Sequence, residues 1–367
     1  MKNIPLYQKI FEHYYEKIMN GQLKEGQQIH TDKEIMDIFF VSRITAKAAI
    51  EMLVERGLVQ RIPGKGSFVT KTPVVHQRTQ STSKLIGVVL CDIDHSFGFD
   101  LLKGLEEEAS RRNIHMIFKR TFESSKVENE VIQSMVQLGV NGIIIQMVHG
   151  ETYSNEILKY YLNGLPMVLI DRHMDKTRVP FVTTDNKLSA AKMTRYLLEN
   201  GYKNISFFSA STSGTSTLNF RYEGFKSVYT TPRNIDLLTL KTPEIRERDK
   251  QTIEGDYQII IDHLMKFPEI DCIFAAELYV AKLVKKVLDE LGKRIPEDIG
   301  VVCFDSETSD LDEPFFTHIT QKQYEMGKKA IEKMDDINEG SFKYPFDCYI
   351  EGDIVKGKSI KYKNNGE

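Results

Sequence analysis

The apolar positions of the first seventy residues recur at helical spacing in three short runs. Leu6, Ile10, Tyr14 and Ile18 define a first helix over 6–20, ended by Gly21. Thr31 followed by Glu34 is a capping-box sequence opening a second helix with Ile35, Met36 and Phe39 inward. Val41-Ser42 closes a turn, and a third helix follows. Its apolar face is expected to carry Ile44, Ala48, Leu53 and Val54, while Arg43, Thr45, Lys47 and Glu51 point elsewhere; Gly57 ends it. Leu58-Val59 and Ser67-Phe68-Val69 then flank Pro63-Gly64-Lys65-Gly66. That arrangement predicts two strands joined by a tight hairpin tip carrying one cation.

Residues 71–84 lose this periodicity and are rich in Ser, Thr and Gln, which marks a linker. From Leu85 short continuous apolar runs alternate with amphipathic stretches. Strands are predicted at 85–90, 115–120, 142–147, 167–171, 205–210, 237–240, 272–276 and 300–305. Helices are predicted at 99–112, 126–138, 154–163, 188–200, around 221–228, at 254–266 and at 278–291. Continuous Val/Ile/Leu/Phe strands each followed by a helix imply parallel sheets covered on both faces, a doubly wound α/β domain over 85–360.

Composition adds little to this division. At 367 residues the chain is long enough for two or three folding units. The net charge is −3; residues 1–70 hold ten Lys and Arg against eight Asp and Glu, which leaves −5 for the rest. Cys91, Cys272, Cys303 and Cys348 are far apart, without a Cys-x-x-Cys, and read as reduced, packed thiols. The nine histidines have no zinc-ligand spacing, so neither metal nor cofactor is expected. There is no apolar signal core and no run of membrane-spanning length, so a soluble cytoplasmic protein is expected.

The helix–hairpin unit suits DNA. Ser42, Arg43, Thr45 and Lys47 open a helix able to enter a major groove, with Arg43 the candidate for a guanine contact. Gly64, Lys65 and Gly66 form a tip able to approach phosphates or the minor groove. Thr31 and Lys33 stand where a helix N-terminus can hold a phosphate. The pattern V-S-R-x-T-x-x-x-A, then L-x-x-x-G-L, then G-K-G-x-F-V over roughly 5–70 resembles the winged helix-turn-helix of the GntR family of bacterial transcription regulators. That family usually has Pro where this chain has His30, which implies a less stiff loop before the second helix.

In doubly wound sheets ligands bind beyond the C-terminal ends of the strands. The residues there are Asp92, Asp94, His95, Phe97 and Phe99; Asp171, Arg172 and His173; Asn219 and Arg221; Glu277; and Asp305. Carboxylates, an arginine and aromatic rings are what a polyhydroxylated ligand needs, through bidentate hydrogen bonds and a flat apolar wall. The segments VPFVTTDNKLSAAKMTRYLLENGYKNISFF, RYEGF, IPEDIGVVCFD and HITQKQYEMGKKA resemble the effector-binding core of the LacI/GalR family, over roughly 84–355. That resemblance implies a two-lobed, type I periplasmic-binding-protein-like fold and carries effector contacts onto Asp171, Arg221, Asp305 and Gln321. The family commonly has Asn-Asp where this chain has Glu277-Leu278, which reverses hydrogen-bond polarity at one ligand position.

An enzyme reading offers Asp171, Asp305 and His173 as acid and base, but no P-loop, nucleophile elbow or metal motif accompanies them. A sugar-binding protein without regulatory function does not account for the winged helix. The expected function is a DNA-binding transcriptional regulator, a repressor of a carbohydrate operon similar to bacterial arabinose repressors. Its expected effector is a sugar, L-arabinose or a relative, with a nucleoside or other non-sugar ligand as the alternative. The resemblance further implies a homodimer on a near-palindromic operator, released when effector closes the cleft.

Overall fold

Ile10, Phe11, Tyr14 and Ile18 form the buried stripe of α1 (Leu6–Met19), which packs on α3 (Arg43–Glu55). The computed structural model describes residues 6–19, 22–55, 58–70, 84–93, 96–148, 155–174, 177, 179–210, 216–230, 237–241, 250–306, 313–341 and 347–363. Contacts divide the chain into Met1–Ser81 and Thr82–Glu367. The linker expected over 71–84 falls almost wholly outside the described residues.

In the first unit α2 (Asp32–Phe39) opens on the predicted capping box: the Glu34 N–H donates to Thr31 Oγ1, and the Thr31 N–H donates to Glu34 Oε2 at 2.7 Å. The buried face of α3 is the expected one only at Leu53. Ala46, Ala49, Ile50 and Leu53 are buried, whereas Ile44 is 82% exposed and Val54 also faces solvent. Small alanines at 46 and 49 let α1 approach α3 closely, which turns the stripe away from Ile44 and Val54. Strands β1 (Val59–Ile62) and β2 (Gly66–Val69) pair antiparallel, Val59 opposite Val69, to make the hairpin. Where the resembled family has proline, His30 Nδ1 hydrogen-bonds the Tyr14 hydroxyl at 2.6 Å, so a side-chain tether holds that loop. Burial pushes the Tyr14 hydroxyl up to about 12.

The second unit contains two six-stranded sheets. Its elements are β3 (Lys84–Leu90), α4 (Phe99–Arg111), β4 (Ile114–Arg120), α5 (Ser125–Gln137), β5 (Gly142–Ile145), α6 (Asn155–Leu162), β6 (Met167–Ile170), β7 (Phe181–Thr184), α7 (Asn186–Glu199), β8 (Ile205–Ser209), α8 (Ser216–Val228), β9 (Leu237–Thr239), α9 (Lys250–Lys266), β10 (Cys272–Ala275), α10 (Leu278–Glu290), β11 (Gly300–Phe304), β12 (Thr317–Thr320), α11 (Gln323–Glu339), β13 (Asp347–Ile350) and β14 (Asp353–Val355). The N-terminal lobe has strand order β13-β7-β6-β5-β3-β4, all parallel. The C-terminal lobe has order β14-β12-β11-β10-β8-β9, parallel except that β14 runs against β12. Alternate residues of one strand enter opposite cores: Cys272 and Phe274 of β10 pack on one side, Ile273 and Ala275 on the other. Both sheets are thus covered on two faces, as the apolar strands imply. Strands β7, β12, β13 and β14 and helix α11 escape the pattern of apolar runs, because these strands are three or four residues long and mix Thr, Asp and Tyr with the apolar positions. No described helix is long and apolar enough to cross a membrane.

The chain passes between lobes three times, after β7, after β12 and after β13. On its return α11 lies against α4 at glycine contacts. A Cβ at Gly327 would sit 2.4 Å from Leu101 O, and one at Gly104 would sit 2.0 Å from Tyr324 O.

Gly327→Ala is therefore expected to destabilise the larger unit by about 1–3 kcal/mol in urea unfolding. Gly255→Ala, in α9 where an added Cβ meets nothing within 4 Å, is expected to stabilise by about 0.5–1 kcal/mol. In the first unit, Phe40 caps α2 in the left-handed region (φ 52°) while 92% exposed. Phe40→Gly relieves that conformation without losing packing, and its thermal transition is expected to rise by the equivalent of about 1 kcal/mol.

Candidate nucleic-acid interface and effector cleft

Ser42 is the cap of α3: the Thr45 N–H donates to Ser42 Oγ at 3.2 Å, and the two hydroxyls are 2.8 Å apart. Thr31 is engaged in the same way at α2, its hydroxyl also donating to Glu34 Oε2 at 2.9 Å. These hydroxyls fix the two helix starts. Lys33, Arg43, Lys47 and Lys65 are all exposed; Lys47 lies 3.5 Å from Glu51 on its own helix. At the hairpin tip Gly64 (φ 75°) and Gly66 (φ 115°) adopt backbone that favours glycine, and Gln28 Nε2 donates to Lys65 O at 3.1 Å. A Cβ at Gly66 would meet that same Gln28 amide at 2.3 Å.

In the second unit the residues at the strand ends are joined through the first crossover. Asp171 follows β6 and Asp305 follows β11, both with positive φ, 65° and 62°. Each carboxylate accepts from a glutamine amide: Gln146 Nε2 to Asp171 Oδ2 at 2.9 Å, and Gln321 Nε2 to Asp305 Oδ2 at 2.8 Å. Thr183 Oγ1 donates to Asp171 O, and Thr184 Oγ1 to Gln321 Oε1 at 2.8 Å. Asn186 continues the chain, its Nδ2 donating to Thr184 O and its Oδ1 accepting from Arg221 Nε at 2.7 Å. Arg221 Nη1 donates to Ala276 O at 2.7 Å, and the guanidinium lies 3.9 Å over the Phe304 ring. Arg221 is only 4% exposed, and among the described residues no carboxylate pairs with it. Its remaining N–H groups suit a ligand's oxygens.

Two models of known families match this chain. Residues 83–343 match the periplasmic binding proteins and sugar binding domain of the LacI family, and residues 6–69 match the bacterial regulatory proteins of the gntR family. The chain belongs to the LacI sugar-binding-domain family. Its head is a GntR helix-turn-helix. Similar relatives include the ribose operon repressor of Halalkalibacterium halodurans, 28% identical over 332 residues, 89% of this chain and 94% of that protein. The arabinose metabolism transcriptional repressor of Geobacillus stearothermophilus is 24% identical over 92% of each. The crystal structure of transcription regulator CcpA of Lactococcus lactis shares the fold, with TM-score 0.65 and 17% identity over 76% of this chain and all of that one. These are regulators, and this LacI-family chain is a DNA-binding transcriptional regulator and not an enzyme.

Within this LacI-family domain, Asp171, Arg221, Asp305 and Gln321 are brought into one hydrogen-bonded series through Thr183, Thr184 and Asn186. Arg172 adjoins that series, its Nε 3.9 Å from Asp171 Oδ2. Its guanidinium donates to Met147 O at 2.7 Å and Cys91 Sγ at 3.4 Å and is 3.5 Å from Glu123, so it braces the N-terminal lobe. His173 is stacked between Phe181 of β7 at 4.3 Å and Phe220 of α8 at 5.5 Å, so its ring packs the two lobes together. Phe97 packs on the N-terminal core, and Phe99 is 58% exposed at the start of α4. His95 and Asp94 lie outside the described residues. Glu277 is half-buried at the N-cap of α10, its backbone beside the Ala276 carbonyl that Arg221 uses. Among described residues no cluster of His, Cys, Asp or Glu can hold a metal.

Sequence reasoning passed over Asn186, Thr184, Gln146 and Phe220. The polar run Thr183–Asn186, at the end of β7 and the start of α7, carried the signal. Asn186→Ala leaves the buried Arg221 one acceptor short and is expected to lower the stability of the larger unit by about 1.5–3 kcal/mol in urea unfolding.

Proposed function

We propose that the protein is a sugar-responsive repressor that works as a homodimer in the cytoplasm. Two winged helices hold an operator of near-palindromic sequence, Arg43 contacts guanine, and Lys33, Lys47 and Lys65 lie against phosphates. A sugar in the C-terminal cleft is held by Asp171, Arg221, Asp305 and Gln321, with Glu277 at the edge. The observation that carries this reading is Arg221, buried with no carboxylate partner among the described residues yet oriented by Asn186 and Ala276 in the crossover series. The relatives named as repressors of ribose and arabinose metabolism support both the sugar class and the sign.

Because the series spans both lobes, a ligand bridging Asp171 and Asp305 favours one lobe arrangement over others. That differential affinity is what shifts the population away from the DNA-bound form.

Thermal unfolding against pentoses, hexoses, sugar phosphates and nucleosides tests the ligand class. A true effector at about a hundred times its Kd adds roughly 2.7 kcal/mol to the unit that binds it. The same sugar is expected to release a labelled operator in fluorescence anisotropy. Arg221→Ala should keep operator binding and lose the response, while Arg43→Ala should lose specific operator binding and keep the sugar-induced stabilisation. Response retained in Arg221→Ala places the effector elsewhere; stabilisation by nucleosides alone replaces the sugar.

A further inference from the structure

Ile44 joins none of the apolar clusters among the described residues. It stands 82% exposed on the first turn of α3, opposite the buried stripe of Ala46, Ala49, Ile50 and Leu53. A β-branched residue is also a weaker helix former than Ala, Lys or Glu, so an exposed helical position gives no reason for it. Its flanking outward side chains are the cations Arg43 and Lys47, which suit a polyanionic groove. Ser42 and Thr45, the hydroxyl residues nearest to it, are joined to each other at the cap.

We propose that Ile44 reads a thymine in each operator half-site through its C5-methyl group. This rests on the DNA-binding reading above and adds the base class that the helix selects. An sec-butyl side chain has no donor or acceptor, so it cannot discriminate base edges by hydrogen bonding. In the major groove thymine alone presents an apolar methyl group, and covering it removes apolar surface from water on both sides. Arg43 precedes Ile44 directly, so the thymine lies next to or one step from the guanine that Arg43 contacts.

The test uses the full-length protein. Sites are selected from a random duplex library, and each thymine of the selected half-site is then replaced singly by deoxyuridine, which keeps pairing and hydrogen bonds and removes only the methyl. One replacement per half-site is expected to weaken wild-type binding by about 5–10-fold. Ile44→Ala is expected to bind thymine and uracil versions of that position within about 2-fold of each other, and Ile44→Val to fall between. Equal melting temperatures for the variants separate this from a folding effect. No sensitive thymine, or the same penalty in Ile44→Ala, overturns the inference while leaving DNA binding intact, and leaves the residue to a protein partner. Failure to enrich any site overturns the DNA-binding reading itself.

Discussion

The hydrogen bonds that cross from Thr183, Thr184 and Asn186 to Asp171, Gln321 and Arg221 hold the larger unit in register. They lie where the chain first leaves one sheet for the other, and the second crossing supplies Gln321 to the same place. Buried polar groups of this kind are costly when unpaired and specifying when paired, so each fixes its neighbour. The third crossing is tied nearby, with the Asp185 N–H donating to Ile350 O at 2.8 Å and the Gly352 N–H to Ser189 Oγ at 3.1 Å. Any change in lobe arrangement is felt by all three strands at once.

The two lobes use a similar device at corresponding strand ends. An aspartate in left-handed backbone follows β6 and another follows β11, each with its carboxylate held by a glutamine amide. Aspartate tolerates that backbone better than most residues, and residues held there recur where a ligand must be met. Between the lobes, Phe181, His173 and Phe220 stack in near-parallel planes, with Tyr349 edge-on to the first two. This apolar seam complements the polar series: one resists separation, the other sets geometry.

The smaller unit follows a different economy. Its polar side chains at helix starts, Thr31 with Glu34 and Ser42 with Thr45, serve the helices, and its cations and Ile44 serve the outside. The Thr31 and Ser42 hydroxyls cap their helices because the first N–H groups of a helix have no other partners. The wing is shaped by Gly64 and Gly66 and steadied by Gln28.

Spacing along the chain determined most of the architecture: three helices and a hairpin, a periodicity change near residue 84, parallel strands buried on both faces, and the strand-end positions of Asp171 and Asp305. These follow from local period and from connection rules, which a sequence carries directly. Tertiary structure decided what local pattern cannot contain. It set which side of α3 is buried, because that depends on how closely alanines let α1 approach. It turned Arg172, just after β6, toward Met147 and Cys91, and Arg221, inside α8, toward Asn186. It made His173 an interlobe packing ring, and it formed β7, β12, β13 and β14, whose short mixed runs become strands only when a neighbouring edge supplies their hydrogen bonds.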